Sequence, residues 1–151
     1  MRLSKRGEYG LRAMIHLADA FLSDPPGIVQ IKEIAARERI PGKFLEQILL
    51  ALKNAGLLHS RMGVGGGYHL SRSPDQINLG QIVRVLDGSL APVKCVSHVA
   101  YEHCDCPDEN ICGLRMAMGD VRNAIADVLD NTTLEAVIRR MAAARLMTLV
   151  G

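Results

Sequence analysis

The sequence predicts a mostly α fold: a winged helix-turn-helix with a small two-stranded wing and a long C-terminal dimerisation helix. Three observations predict it. Two short amphipathic segments, residues 30–38 and 41–54, are joined by only a few residues, the outline of a helix-turn-helix. A glycine-rich tip between two short β-prone runs follows directly. An apolar stripe about five turns long then occupies residues 111–130, beyond an already complete small domain.

Each element has a local cause. Residues 5 to about 22 form a first helix, with Leu11, Met14, Ile15, Ala18, Phe21 and Leu22 at three- and four-residue spacing. Ser23-Asp24-Pro25-Pro26-Gly27 ends it. Ile31, Ile34 and Ala35 mark the second helix, 30–38, which has only the weak capping residue Gln30. Pro41 opens the third, where a missing N–H costs nothing. Phe44, Leu45, Ile48, Leu49 and Leu52 form its buried face, and Gly56 supplies a left-handed terminator. Residues 57–60 and 68–71 read as wing strands around a tip with four glycines in the five residues 63–67. That run lacks the G-x-x-x-x-G-K-[ST] pattern and no helix follows it, which excludes a nucleotide-phosphate loop. Residues 79–87 form a fourth helix closed by Gly88, and a loop of roughly 20 residues follows. In the helix at 111–130 the stripe is Leu114, Ala117, Met118, Val121, Ala124, Ile125, Val128 and Leu129. A last helix starts at Thr132, whose spacing to Glu135 fits a capping box. The predicted parts are a DNA-binding winged helix-turn-helix at 1–75, a connecting helix at 76–92 and a cysteine-rich sensor loop at 93–112. The dimerisation helix and a terminal helix packing back on the N-terminal part fill 113–151.

The 151 residues allow a full hydrophobic core without disulfide staples. Hydrophobic residues make up 48% and charged residues 23%, a globular composition. Aromatics are 3%, too few for a base-stacking platform that binds single-stranded nucleic acid. No apolar run is long enough to span a membrane and no secretory signal opens the chain, so a cytoplasmic protein is expected. Residues 1–94 carry 13 Lys and Arg against 8 Asp and Glu, whereas residues 95–151 carry 5 against 8. The basic first part is the one expected to meet a polyanion.

Double-stranded DNA is the expected partner. Lys43, Glu46 and Gln47 lie early on the exposed side of the third helix, where they reach base edges in a major groove, with Phe44 among them. Ser4, Lys5, Arg6, Arg61, the Gly65, Gly66 and Gly67 backbone and Tyr68 are expected to hold phosphates or enter the minor groove.

All four cysteines, Cys95, Cys104, Cys106 and Cys112, fall within 18 residues. Such clustering in an intracellular chain favours metal or redox chemistry over structural disulfides. The same loop holds His98, His103, Glu102, Asp105, Asp108 and Glu109. Four thiolates converging from a loop are the usual holders of an iron–sulfur cluster, which is the reading adopted. Zinc is an alternative, although its structural sites usually use C-x-x-C knuckles and this loop offers C-x-C and C-x5-C. A bare thiol switch is another, with Cys95 and Cys112 the more plausible pair. A redox enzyme would need a C-x-x-C beside a βαβ pattern, and an enzymatic role is not expected.

The chain resembles the Rrf-two family of bacterial winged-helix regulators, typified by IscR and NsrR, over nearly its whole length. MRLSKRGEYGLRAM, EIAARERIPGKFLEQILLALKNAGLL and GVGGGYHLSRSPDQINLGQIV carry the resemblance, with the cysteine loop and the TTLEAVI segment. The resemblance implies a homodimeric transcription factor on a palindromic operator, often with an iron–sulfur cluster as sensor. The family's three-cysteine pattern matches Cys106 and Cys112 in spacing and Cys95 in position. It leaves Cys104 as a middle or fourth ligand. It also offers Glu8, by way of a partner subunit, as a cluster ligand. Three departures stand out. Met62 occupies the place of an Arg before the first wing glycine, Pro41 replaces a Ser at the start of the recognition helix, and Arg115 replaces a ligand His.

Overall fold

The structure, a computed structural model, describes residues 2–150. Its elements are α1 (Lys5–Ser23), α2 (Ile31–Glu38), α3 (Gly42–Asn54), β1 (Leu58–Arg61), β2 (Gly67–Leu70), α4 (Leu79–Asp87), α5 (Gly113–Asp130) and α6 (Leu134–Val150). The two strands form an antiparallel hairpin with Leu58 opposite Leu70 and Arg61 opposite Gly67.

The core gathers around α1. Met14 and Leu17 of α1, Leu45, Ile48, Leu49 and Leu52 of α3, Ile82 of α4 and Leu134 of α6 are all fully buried. Each contributes about 1.5–3 kcal/mol by leaving water. The buried face of α1 is Gly7, Gly10, Ala13, Met14, Leu17 and Ala18. It is rotated from the expected stripe, since Leu22 is exposed and Leu11, Ile15 and Phe21 are half-buried. The cause is α4, which packs on the small residues. A Cβ on Gly10 would overlap Leu86, and one on Gly7 would lie 2.7 Å from the Asp87 carboxylate.

Several boundaries differ from the sequence expectation. The wing strands are 58–61 and 67–70 rather than 57–60 and 68–71, because Leu57 N–H is drawn back to the Leu52 carbonyl at the end of α3. Helix α5 begins at Gly113, with Cys112 as its cap. Helix α6 begins at Leu134, and the Thr132–Glu135 capping box does not form. Thr132 Oγ1 instead donates to the Val128 carbonyl of α5 at 2.6 Å. Thr133 Oγ1 caps α6 by accepting from Ala136 N–H at 3.1 Å, and Glu135 pairs with Arg139 at 2.9 Å. One strand-like contact has no counterpart in the expectation. Val29 bridges Tyr68 with two backbone hydrogen bonds of 2.9 Å, fixing the wing to the segment before α2.

Gly67 makes that bridge possible. Its φ is +152°, and any Cβ would overlap the Val29 carbonyl oxygen. Gly65, with φ of +75°, faces open space. Gly65→Ala should therefore cost about 1–2 kcal/mol from backbone strain alone. Gly67→Ala should cost clearly more, read as a larger fall in the urea midpoint. Equal losses would contradict the bridge's role.

Candidate functional site

The candidate DNA face is built by α3 and the wing. Helix α2 ends at Arg39, held at φ +56°, which turns the chain so that Ile40 is buried and α3 crosses α2. Lys43, Glu46 and Gln47 project from the first turns of α3 and are exposed. Phe44 is half-buried, with its ring edge-to-face on Tyr9 at 5.7 Å, so it positions α3 against α1. Lys5 lies 5.5 Å above the other flank of that aromatic pair, over the Tyr9 ring. Arg6 is half-buried, and its Nε is buried without a hydrogen-bond partner. Ser4 serves chiefly as a cap: its Oγ accepts from Gly7 N–H at 3.0 Å and donates to Asp87. Arg61 is exposed at the end of β1, beside the fully exposed Met62 and Val64 of the tip. Gly65 stands at the tip. The N–H of Gly66 is not available to a phosphate, because it closes the turn on the Gly63 carbonyl at 3.0 Å. Gly67 and Tyr68 are engaged with β1 and Val29, leaving the Tyr68 ring half-buried.

The cysteine loop is organised by polar contacts. Two short 3₁₀ turns, Lys94–Val96 and Glu109–Ile111, bracket it. The buried Ser97 hydroxyl pairs with Ser89 at 2.8 Å and accepts from Ala100 N–H at 2.8 Å. Lys94 holds Glu102 at 2.9 Å. All four cysteines are half-buried and none is in a disulfide. Cys106 lies beside both Cys104 and Cys112, and Cys112 caps α5. Cys106 N–H donates to Cys104 Sγ at 3.4 Å. The thiol hydrogen bond with Cys104, loss of solvent and the neighbouring Cys112 push the Cys106 thiol up to about 12. Cys112 Sγ accepts from Arg115 N–H at 3.5 Å, capping α5. Cys95 lines a polar cavity of about 450 Å³ with His98, Tyr101, Arg115 and Arg122. Glu8 sits on α1, with Lys5 at 3.5 Å and Arg12 at 4.0 Å. A thiol crowded by two neighbouring sulfurs suits a cation, which turns the same crowding into ligation. The donor set therefore fits an iron–sulfur cluster.

The loop is tied to the rest through α5. Arg115 Nε donates to the Cys95 carbonyl at 3.5 Å, and Arg122 Nη1 donates to the Val96 carbonyl at 2.5 Å. At the far end of α5, Asp130 accepts two hydrogen bonds from Arg84 of α4, at 2.6 and 2.9 Å. The hydrogen-bonded guanidinium lowers the Asp130 pKa and is itself raised.

The winged helix-turn-helix and cysteine loop coincide with a known group. A family model described as "Rrf2: Iron-dependent Transcriptional regulator" matches residues 3–140. The chain belongs to the Rrf2 family. It is a transcriptional regulator of that family, with a winged-helix fold. An rrf2-like protein of Rhodobacter capsulatus is 38% identical over 137 residues, 90% of this chain and 91% of that one. The regulator CymR of Bacillus subtilis is 37% identical over 89% of this chain and 88% of its own. The structure of CymR, titled the global cysteine regulator of B. subtilis, superposes with a TM-score of 0.73 over 91% of this chain and 95% of that one, at 36% identity. The IscR structure from T. potens gives a TM-score of 0.75 at 30% identity, covering 95% of this chain and 90% of that one.

Several site residues escaped the sequence reading. The Arg84–Asp130 pair joins residues 46 apart, and no local pattern announces it. Tyr101, whose hydroxyl donates to Glu109 at 2.6 and 2.8 Å, lies in a loop without periodicity.

Two outcomes follow. In metal-free protein at pH 8, Cys106 should be alkylated more slowly than the same cysteine in a loop peptide, read by mass spectrometry. Asp130→Asn should lower the urea midpoint at pH 7. Because the folded carboxyl titrates below its unfolded value, the difference should be full above the ordinary carboxylate range. It should vanish as pH falls through the depressed value. The half-exposed pair limits the effect to about 1 kcal/mol or less.

Proposed function

We propose that this chain is a homodimeric, DNA-binding regulator that senses iron, nitric oxide or redox state through an iron–sulfur cluster held by its cysteine loop. The observation that carries the proposal is that Cys106 lies beside both Cys104 and Cys112, the last of which caps α5. Cys95 and a partner subunit's acidic residue equivalent to Glu8 are the further ligands the sequence offers. When bound, the cluster supplies a centre whose charge and integrity change with iron supply, oxidants or nitric oxide. The protein's own residues do the rest. Cys112 is both thiol donor and helix cap, so drawing its sulfur toward a metal alters the first turn of α5. Arg115 and Arg122 carry the loop backbone with α5. Arg84 and Asp130 pass a shift of α5 to α4, which packs on α1 and α3.

The exposure of α5 supports a second copy as partner. None of its residues is buried, and Leu114 and Val128 are 62% and 65% exposed. An apolar cavity of about 740 Å³ lies between α5, the end of α4 and the N-terminal segment, lined by Leu3, Leu11, Val83, Ile125 and Leu129 among others. Pairing two chains there presents two α3 helices to a palindromic operator. A DNA-binding regulator of this kind belongs in the cytoplasm. Among the described residues no helix is long and apolar enough to cross a membrane.

A cluster-free reading, in which thiols sense oxidant or sulfur status, has its own support. Cys95 lines an open polar cavity with Arg115 and Arg122, where a small oxidant or sulfur metabolite can reach it.

Protein purified without oxygen separates the two. The proposal predicts a brown sample absorbing broadly near about 400 nm, with iron and acid-labile sulfide. Colourless protein that takes up no iron on anaerobic reconstitution would overturn it. On an operator selected from random DNA, Gln47→Ala should cost about 1–3 kcal/mol, confined to one base position. Arg61→Ala should weaken all sequences alike and lower the salt slope by about 1. Fluorescence anisotropy at several salt concentrations checks both.

A further inference from the structure

The wing ends in a small apolar point. Met62 is 91% exposed and Val64 wholly so, which makes them the two most exposed large apolar side chains among the described residues. Val64 stands between Gly63 and Gly65, at φ of +89° and +75°, conformations that residues with side chains rarely adopt. The tip is therefore narrow, with one side chain between two bare positions. It is also held in place. Gly66 N–H closes the turn on the Gly63 carbonyl at 3.0 Å, and a Cβ on Gly66 would overlap the Arg61 carbonyl oxygen. Behind the tip, Val29 and Tyr68 exchange two backbone hydrogen bonds of 2.9 Å. Leu57 N–H donates to the Leu52 carbonyl of α3 at 3.0 Å. The tip thus has a set position relative to α2 and α3 and continues the candidate DNA face. Its surroundings carry one sign of charge. From Gln47 to Pro74 the chain has no Asp or Glu, whereas Lys53, Arg61 and Arg72 are all exposed. An apolar point among cations fits an occupant that is anionic outside and apolar within. The minor groove of a duplex is such an occupant: phosphates line an opening about 6 Å wide, with stacked bases at its floor. Apolar side chains, Met among them, act there as wedges between base steps. Two side chains offer far less than the ~800 Å² per partner of a stable protein interface, which argues against a second protein.

We propose that Met62 and Val64 form an apolar wedge that enters the minor groove of the operator, partly unstacks one base step and bends the duplex. This rests on the DNA-binding reading above and adds a second source of specificity to it. A wedge selects steps that unstack at small cost. Flexible pyrimidine–purine steps such as TA and CA are therefore favoured under the wing, although no base edge is hydrogen-bonded there.

The test uses the full chain, prepared without oxygen, on an operator duplex selected from random DNA. Dyes at the two duplex ends report bending by energy transfer, and anisotropy at several salt concentrations reports affinity. Wild type is compared with Met62→Ser, Val64→Ser and the double variant M62S/V64S. A second duplex carries a stiff A-tract in place of the flexible step under the wing. Both side chains are exposed, so the variants should unfold at the same urea concentration as wild type. Wild type should bend the first duplex by about 20° or more. The double variant should lose most of that bend and bind about tenfold more weakly, with an unchanged salt slope because no cation has been removed. The stiff duplex should weaken wild type more than the double variant. A straight duplex under wild type, or equal bend and affinity for the double variant, would overturn the wedge while leaving DNA binding intact. The second of these results, joined to altered sedimentation of the double variant, would assign the tip to a protein contact instead. Failure of wild type to select any duplex would overturn the DNA-binding reading and the wedge with it.

Discussion

Helix α4 is the constraint on which the rest of the molecule depends. It is only nine residues long, yet both its ends are gripped. Asn78 and Gln81 close a reciprocal cap at its start. Asp87 at its end receives Ser4 N–H at 3.0 Å and the Ser4 hydroxyl, so the end of α4 also secures the start of α1. Ile82, Val83 and Leu86 fill the space beside α1 and α3. Gly80 lets α5 approach so closely that a Cβ there would overlap the Asp130 carboxylate. Interiors packed to this density respond to displacement as units rather than by local yielding. A half-exposed ion pair such as Arg84–Asp130 adds little stability. Its two parallel hydrogen bonds fix direction, and direction is what a helix must transmit to α3.

The sensor end is built in the opposite manner. From Gly88 to Cys112 the chain has only two three-residue turns and a few polar contacts. Its apolar side chains Val99, Tyr101 and Ile111 are exposed, and only Val96 and Ser97 are buried. Such a segment opens at small cost and reorders readily around a ligand. A stiff DNA-binding part joined to a soft loop by one long helix is an arrangement in which a local ligation event has a distant readout. The ligand acts only through the difference in its affinity for two arrangements of that helix.

Where local chemistry dominates, the sequence was informative. Pro25, Pro26 and Gly27 end α1, Gly56 follows α3 with φ of +82°, and three of the four wing glycines, Gly63, Gly65 and Gly67, adopt positive φ. The apolar spacing of α3 placed Leu45, Ile48, Leu49 and Leu52 inward, and they are fully buried. Contacts between distant residues were less legible. Which face of α1 is buried depends on α4 fitting against two glycines, information that lies in neither helix alone. The choice of Thr133 over Thr132 as cap depends on Thr132 being used by the end of α5. In the loop, clustering of cysteines was plain, but the placing of Cys106 beside Cys104 and Cys112 needs the fold of the segment between them.

The central claim is that the cysteine loop and α3 are energetically coupled. The most direct measurement is the affinity of cluster-loaded and metal-free protein for one operator duplex, at one salt concentration and without oxygen. The account predicts dissociation constants that differ by about tenfold or more, a coupling of about 1.4 kcal/mol. Equal affinities of a fully loaded and a fully metal-free sample would contradict it.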